Sequence, residues 1–236
     1  MHSCRKVQSS IRKESEMTYR TLVQLSLATS LFAGVSLAMA PVGDIQGRAQ
    51  VSTQKNPIGP KVIYPLSPHA VQNLIHMREE EKMARDVYFV LGMQWNAGVF
   101  NITNAEQVHM DAMKNMLDRF GLTDPIVDDT VGVFPTPAFA ELYLFLLDLG
   151  ADSVVDAYKV GALIEELDLV DLRIAVLHVQ DPVLLNAYEE LMRGTRNHLR
   201  AFAAKIYAAG ETYEAQYLTQ EEFDAIANSD NEPGGN

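Results

Sequence analysis

The sequence predicts an all-α domain of four main helices, and three observations support this fold class. Apolar residues recur at helical spacing along four long segments between residues 67 and 227. No segment shows the strict alternation that is typical of a strand with one buried face. A long stretch between Gly121 and Ser153 separates the second main helix from the third and contains a short apolar helix. We therefore expect a four-helix bundle with a long crossover carrying a short extra helix.

The composition excludes several kinds of function. The chain of 236 residues is long enough for one domain with a substantial core. Its net charge of -12 argues against a nucleic-acid partner, because such proteins need clustered Lys and Arg. Its single cysteine, Cys4, excludes an intrachain disulfide and a zinc knuckle. Any catalysis must therefore rest on carboxylates, histidines, hydroxyl groups or a metal.

The N-terminal segment, residues 1–40, has the pattern of an export signal. Basic residues precede an apolar run from Leu22 to Ala40, and small residues at its end allow cleavage after Ala38 or Ala40. An uncleaved membrane anchor is the alternative. Residues 41–66 then form a linker rich in Gly, Pro and polar residues. These features predict a periplasmic or secreted protein with no stable membrane insertion after cleavage.

The first main helix begins at Ser67 and Pro68, which are typical N-cap and first-turn residues. One carboxylate, Glu81, interrupts its apolar stripe. The stripe consists of Leu74, Met77, Glu81, Ala84, Tyr88 and Leu91, and Glu79, Glu80, Lys82 and Asp86 fall outside it. His76 and Glu80 have the spacing of an ordinary exposed pair.

The second helix carries a Glu-x-x-His motif and ends at Gly121. Glu106 and His109 lie three residues apart on one helical face, above apolar residues. This spacing allows an oxygen and a nitrogen to bind one metal ion, as it does in helical bundles that hold two metals. Alternatively, Thr103 and Glu106 form a capping box at the start of the helix.

The third main helix begins after Ser153 and carries two acidic residues beside its apolar face. Glu165 and Asp168 lie at the border of that face, whereas Glu166 and Asp171 point toward solvent.

The last long helix runs from Pro182 to Ala209, and its apolar stripe includes His198. Gly194, at mid-helix, provides close packing or space beside a site. A short helix is expected beyond Tyr217, and the polar residues 228–236 are predicted to form a disordered tail. The helical domain is thus expected at 67–227.

Each main helix therefore turns ionisable groups inward, which needs a common explanation because unpaired buried charges cost several kcal/mol. A shared metal provides one, and a set of buried salt bridges is the alternative. The candidate metal ligands are Glu81, Glu106, His109, Glu165, Asp168 and His198.

Several segments also resemble known families. Residues 81–88 are similar to the first-helix ligand segment of rubrerythrins, and Glu106-x-x-His109 is similar to their second. The ordered segments 77–82, 106–110, 160–165 and 196–202 resemble a prokaryotic ferritin-like domain of unknown function. The resemblance implies a ferritin-like four-helix bundle with an iron site.

The last helix departs from the ferritin-like pattern. Di-iron proteins of this kind carry a second Glu-x-x-His there, but Thr195 stands three residues before His198. A hydroxyl group cannot replace a bridging carboxylate, so a complete di-iron centre requires Asp168 to stand in. The cofactor is thus predicted to be di-iron or mono-iron, with another divalent metal as the alternative.

Three functions follow from these patterns. The first is an exported oxidoreductase that uses iron to react with oxygen or peroxide, and the second is a metal buffering or storage protein without turnover. The third is a metal-free helical interaction module. The expected partners are metal ions and, for the first function, a small-molecule oxidant, while homo-oligomer formation stays open. Tyr88, Tyr188 and Asn197 are candidates for supporting the ligands.

Overall fold

The computed structural model describes residues 63–234, which form helices and connecting segments with no β-strand among them. The helices are α1 (Pro68–Trp95), α2 (Thr103–Phe120), α3 (Pro137–Leu149), α4 (Val154–Val176), α5 (Pro182–Ala208) and α6 (Gln220–Ala227), with a 3₁₀ helix at Gly98–Ile102. The predicted all-α class is confirmed. Within this range, no helix combines the length and hydrophobicity needed to cross a bilayer. The predicted signal peptide, 1–40, and most of the linker, 41–66, lie outside the described residues.

The helix ends follow local signals in the sequence. The Ser67 hydroxyl accepts a 3.1 Å hydrogen bond from the backbone N–H of Ala70 at the start of α1. The Ser153 hydroxyl accepts the corresponding 3.1 Å bond from Asp156 at the start of α4. Helix α2 ends at Gly121, whose φ of 67° is left-handed and therefore favours glycine. These caps fix the helix lengths before any tertiary packing is considered.

Four long helices contact one another in a closed ring, in which α1 and α5 each contact both α2 and α4. At one end of the ring, a core joins the first turns of α1 and α5 to the last turns of α2 and α4. Its larger members are Leu74, Met77, Met113, Leu117, Leu172, Leu184, Tyr188 and Leu191. Helices α2 and α4 therefore run in the same direction, opposite to α1 and α5. The segment between α2 and α4 must consequently return along the length of the helices.

Aromatic residues form a second apolar group toward the other end. The ring centroid of Phe202 lies 5.3 Å from that of Tyr88 and 5.5 Å from that of Phe100. Gly161 allows this packing, because a Cβ atom there would clash with the Phe202 ring. On each long helix, the candidate ligands fall between these two apolar groups. Water is thus displaced on both sides of the polar residues.

The returning segment covers the polar face of α1. It contacts four charged residues of this helix: Arg78, Lys82, Arg85 and Asp86. The Arg85 guanidinium, for example, lies 2.7 Å from the Asp129 carboxylate. Glu79, Glu80, Lys82 and Asp86 lie outside the apolar stripe as predicted, yet all four are buried. The expectation of an exposed His76–Glu80 pair is therefore wrong for Glu80.

Helix α4 also buries a carboxylate that was expected in solvent. Glu166 is fully buried and accepts hydrogen bonds from the backbone N–H groups of Gln216, Tyr217 and Leu218 at 2.8–3.1 Å. Successive N–H groups of this kind form an anion-binding nest. The solvent-facing prediction is therefore wrong for Glu166, because the segment before α6 folds over it. Asp171 keeps 15% of its side chain exposed.

The described part of the C-terminal tail, residues 228–234, is attached to α5, in contrast to the disorder expected there. The Glu232 carboxylate accepts hydrogen bonds from Arg196 Nε at 2.7 Å and from Arg200 Nη2 at 2.6 Å. The backbone N–H and carbonyl of Glu232 also bond to the Asn197 side chain, each at 2.9 Å. Two arginines one turn apart on α5 thus hold one carboxylate of the tail.

We predict that Glu232→Gln destabilises the protein in a pH-dependent manner. Hydrogen bonds from Arg196 and Arg200 lower the pKa of Glu232 from 4.5 to about 2. Its contribution is therefore complete above pH 4.5 and is lost as the pH falls toward 2. Urea unfolding at pH 6 should show a difference from wild type of about 1 kcal/mol, which shrinks at pH 3. A difference independent of pH would contradict this assignment.

Candidate metal centre

Glu106 and His109 contact each other at the start of α2. Glu106 is 2% exposed, and its Oε2 atom lies 2.8 Å from His109 Nδ1. The Thr103 hydroxyl donates instead to the Phe100 carbonyl at 2.7 Å, and no side chain caps this helix. The capping-box alternative is therefore wrong, and the glutamate points toward the other long helices.

Helix α5 brings a second imidazole to the same carboxylate. His198 Nδ1 lies 2.8 Å from Glu106 Oε1 and 3.5 Å from Glu165 Oε1. The two imidazole rings stack, with centroids 5.5 Å apart and planes inclined at 30°. One atom each of Glu106, His109 and His198 lies within 4.8 Å of the other two. Glu106 thus bridges two imidazoles from two different helices.

Helices α1 and α4 complete the group with one glutamate each. Glu81 Oε2 lies 3.3 Å from His109 Nδ1, and Glu165 Oε1 accepts a 2.6 Å hydrogen bond from the Tyr88 hydroxyl. Both carboxylates are almost completely buried. The structure therefore brings together five of the six predicted ligands, which we call the inner cluster: Glu81, Glu106, His109, Glu165 and His198.

The sixth predicted ligand, Asp168, has a different environment. Its Oδ2 atom accepts a hydrogen bond from the Thr195 hydroxyl, and no ion pair with His109 or His198 is present among the described residues. Burial and the negative charges of Glu81 and Glu165 raise the pKa of Asp168 well above its ordinary value. It thus lies beside the inner cluster and is bonded to the residue that replaces the expected glutamate.

Several polar atoms around this group have no hydrogen-bond partner in the described part of the chain. They include Glu81 Oε1, Glu106 Oε1, Asp168 Oδ1 and His198 Nδ1. The contact between His198 Nδ1 and Glu106 Oε1 is short, at 2.8 Å, but its angles are not those of a hydrogen bond. Each buried polar atom without a hydrogen-bond partner lowers the stability of the fold by about 1–3 kcal/mol. A cluster of several such atoms therefore needs an explanation.

The charges of the inner cluster shift the ionisation of its members. Burial raises the pKa of Glu81 to about 7. Burial disfavours the charged form of Glu106 as well. The two imidazoles outweigh this effect of burial and hold the pKa of Glu106 well below its usual range. Burial likewise opposes protonation of His109 and His198, but the neighbouring carboxylates raise the pKa of both well above 6.5. The carboxylates of the inner cluster thus favour the protonated form of both imidazoles.

The cations of α1 are bonded elsewhere. Arg78 pairs with Asp124, and Arg85 pairs with Asp129 and Asp86. Lys82 also pairs with Asp86. Among the described residues, the inner carboxylates thus form salt bridges with imidazoles alone.

The three residues predicted to support the ligands lie in different places. Tyr88 donates directly to Glu165, as described above. Tyr188 is buried in the apolar core, where its hydroxyl has no hydrogen-bond partner among the described residues. Asn197 bonds to Glu232 in the tail. Only Tyr88, of these three, touches the inner cluster through a hydrogen bond in the part of the chain described.

Gly194 provides space for an imidazole. A Cβ atom at this position would lie 2.6 Å from His109 Nε2 and 2.8 Å from His109 Cε1. Alanine therefore cannot occupy this site unless His109 moves. The close approach of α5 to α2 thus depends on the missing side chain.

We predict that Gly194→Ala weakens metal binding by at least about tenfold, because it displaces His109. The same change should favour the helix itself by about 1 kcal/mol, so the loss of binding is not expected to reflect unfolding. Metal titration and urea unfolding together check this result. Gly98→Ala is the control, since its Cβ atom would meet nothing closer than 3.9 Å. Equal metal affinity in Gly194→Ala and wild type would contradict the prediction.

The helical periodicity of α1 does not predict the burial of two carboxylates next to Glu81. Glu79 accepts hydrogen bonds from the backbone and hydroxyl of Thr136, at 3.1 Å and 2.8 Å, and so anchors the start of α3. Glu80 is 1% exposed and faces His76. Three successive helical residues point in directions about 100° apart, so a buried run of glutamates must meet three different neighbours. The run of three glutamates, Glu79 to Glu81, is the feature of the sequence that could have indicated these buried carboxylates.

Comparisons with known proteins identify the family. A family model described as "Uncharacterized protein domain (DUF2202)" matches residues 70–230. Uncharacterized protein MJ0754 from Methanocaldococcus jannaschii is 44% identical over 173 residues, which are 73% of this chain and 94% of the relative. The crystal structure of hypothetical protein MJ0754 from Methanococcus jannaschii DSM 2661 is similar with a TM-score of 0.71 and 43% identity, covering 74% of this chain and 100% of that one. The chain therefore belongs to the DUF2202 family.

Proposed function

We propose that this protein is a ferritin-like four-helix bundle that binds a transition metal, with iron as the expected ion, at the inner cluster. The direction of the four long helices supports this proposal. Because α2 and α4 run in the same direction, one long crossover must join them. A four-helix bundle with a single long crossover is the ferritin-like connectivity.

The position of Glu106 between two imidazoles is the main support for this proposal. The two oxygens of Glu106 lie 2.8 Å from the Nδ1 atoms of His109 and His198, and the second contact lacks hydrogen-bond geometry. A bound cation would provide a partner for the buried oxygen and nitrogen atoms that converge here. Two ligand atoms that are each about 2.1 Å from one ion lie about 3.0–3.4 Å apart. The ligand-to-ligand distances of the inner cluster, 2.8–3.5 Å, are close to this range.

The donor set favours a divalent first-row metal. Two imidazoles and three carboxylates, from Glu81, Glu106, His109, Glu165 and His198, would hold the ion. Mixed nitrogen and oxygen ligands of this kind suit iron, manganese and zinc. Asp168 is bonded to Thr195 and so is less available as a ligand. We therefore propose that the centre binds one ion tightly, or two ions unequally.

Bound iron would supply electron exchange with oxygen or peroxide. The surrounding residues orient a ligand and exclude water. The Tyr88 hydroxyl holds Glu165 through a 2.6 Å hydrogen bond. The packed rings of Tyr88, Phe100 and Phe202 exclude water on one side. The neighbouring carboxylates favour protonation of His109 and His198, and these imidazoles would release their protons when a metal binds.

Metal analysis tests the binding proposal directly. We expect close to one equivalent of iron or another first-row metal in protein purified under mild conditions, and a large loss in Glu81→Ala and His109→Ala with their helical signal retained. Both variants keeping the wild-type metal content would overturn the assignment of the site.

A second experiment separates catalysis from metal storage. An oxygen electrode should record consumption of oxygen or peroxide when the iron-loaded protein receives electrons, if the oxidoreductase function is correct. The bond between Thr195 and Asp168 favours the storage alternative, since it removes a carboxylate from the complete di-iron set. Stable metal binding without consumption of either oxidant would establish buffering as the function.

We also propose that the protein is exported, on the basis of the basic and apolar pattern in residues 1–40. Mature protein from the native host should then begin near Met39 or Pro41. N-terminal sequencing that returned Met1 or Met17 would refute this proposal.

A further inference from the structure

A second group of ionisable residues lies on α1 and α4, outside the inner cluster. It consists of His76 and Glu80 on α1 and Asp171 on α4, with one atom of each within 4.8 Å of the other two. His76 Nε2 lies 3.0 Å from Asp171 Oδ2 and 3.6 Å from Glu80 Oε2. This group shares no side chain with the inner cluster.

Glu80 lacks the hydrogen bonds that a buried carboxylate requires. It is 1% exposed, and neither of its oxygens has a hydrogen-bond partner within residues 63–234. The 3.6 Å distance to His76 is too long for a hydrogen bond. An ordinary ion pair between His76 and Asp171 would satisfy the imidazole but would leave Glu80 unpaired. The carboxylate is therefore aimed into the group without a protein partner.

Helix α3 holds the His76 side chain in place. The ring of His76 packs on Phe139 of α3, with centroids 5.0 Å apart. The start of α3 is itself bonded to Glu79, the residue before Glu80. Because a rotated or mobile imidazole would bind a ligand poorly, this packing favours a preformed site.

We propose that His76, Glu80 and Asp171 form an outer binding site for one divalent transition-metal cation. One imidazole nitrogen and two carboxylate oxygens are a suitable donor set for such an ion. The His76 side chain is 46% exposed, so solvent reaches the site and water can complete the coordination. The inner cluster, in contrast, is enclosed by four helices. The outer site goes beyond the proposed function, and it binds a cation whether or not the inner cluster does.

Equilibrium dialysis with Co²⁺ tests the outer site in three proteins: wild type, His76→Ala and the control His69→Ala. His69 is an exposed histidine of the same helix whose ring lies beside that of His178, at 5.5 Å between centroids. We expect His76→Ala to bind about one equivalent less Co²⁺ than wild type, whereas His69→Ala binds the same amount. Equal binding by all three proteins would overturn the proposal.

The same titration separates this proposal from that of the inner cluster. If both sites bind Co²⁺, His76→Ala keeps the inner equivalent. If only the outer site binds, His76→Ala loses all bound Co²⁺ while wild type binds about one equivalent. Either result supports the outer site, and the amount left in the variant reports on the inner cluster alone.

Two further measurements address the role of Glu80. Glu80→Gln should lower outer-site affinity for Co²⁺ by at least about tenfold, because it removes an anionic ligand. NMR of the wild-type protein should show the ¹⁵N resonance of His76 Nε2 shifting on addition of Zn²⁺. An unshifted His76 resonance at saturating Zn²⁺ would overturn the site without reliance on any variant.

Discussion

Glu106→Gln is expected to remove most of the metal from the inner cluster. Among the described residues, Glu106 is the one carboxylate that contacts both His109 and His198. At the proposed metal centre its charge would both bind the cation and orient the imidazoles. Residues that merely support metal ligands change affinity by about 10- to 100-fold, and loss of this ligand should exceed about 100-fold. Titration of the metal-free protein with Fe²⁺ under anaerobic conditions measures the change.

Glu166→Gln is the matched control for this experiment. Glu166 is a buried glutamate of α4, adjacent to Glu165 in sequence, but it accepts hydrogen bonds from backbone N–H groups before α6. Its replacement should lower stability and leave Fe²⁺ affinity unchanged. Similar losses of affinity in both variants would indicate a general effect of burying an amide and would contradict the specific role of Glu106.

Thr195→Glu should strongly destabilise the metal-free protein and increase its capacity for metal. Thr195 is 1% exposed and donates to Asp168, so a glutamate there would place two carboxylates together in a buried position. An uncompensated buried charge costs about 3–5 kcal/mol. The substitution also creates a second Glu-x-x-His with His198, which provides a further carboxylate for a second ion. Metal should therefore reverse the loss of stability.

Thr195→Gln separates the charge from the size of the new side chain. It should destabilise the metal-free protein as well, but metal should not restore its stability. Urea unfolding with and without Fe²⁺ gives the two effects for each variant. A Thr195→Glu protein that loses stability and binds no additional metal would show that α5 does not complete a second metal position.

Much of the fold could be predicted because its signals are local. Ser67, Ser153, Gly121 and Gly150 mark helix ends through caps and backbone conformation, and the helices begin or end next to them. The inner cluster could be predicted for a related reason. An acidic residue or imidazole that interrupts an apolar stripe, such as Glu81 or His198, is carried into the interior with that stripe.

The remaining features depend on contacts between distant residues. Periodicity shows which face of α1 is apolar, but it cannot show that a crossover segment carries Asp124 and Asp129 to the polar face. The pairing of His76 with Asp171 joins residues 95 positions apart, and that of Arg196 with Glu232 joins residues 36 positions apart. Nothing in the local sequence around any of these residues specifies its partner, so periodicity alone cannot predict these pairs.

The most direct test of the metal centre is anomalous diffraction at the iron absorption edge from crystals of the iron-loaded protein. We predict an anomalous peak within about 2.5 Å of ligand atoms from Glu106, His109 and His198. A weaker second peak toward Asp168 would agree with two unequal ions. Fully loaded crystals with iron bound elsewhere, and no anomalous peak among these three side chains, would contradict the inner cluster as a metal centre.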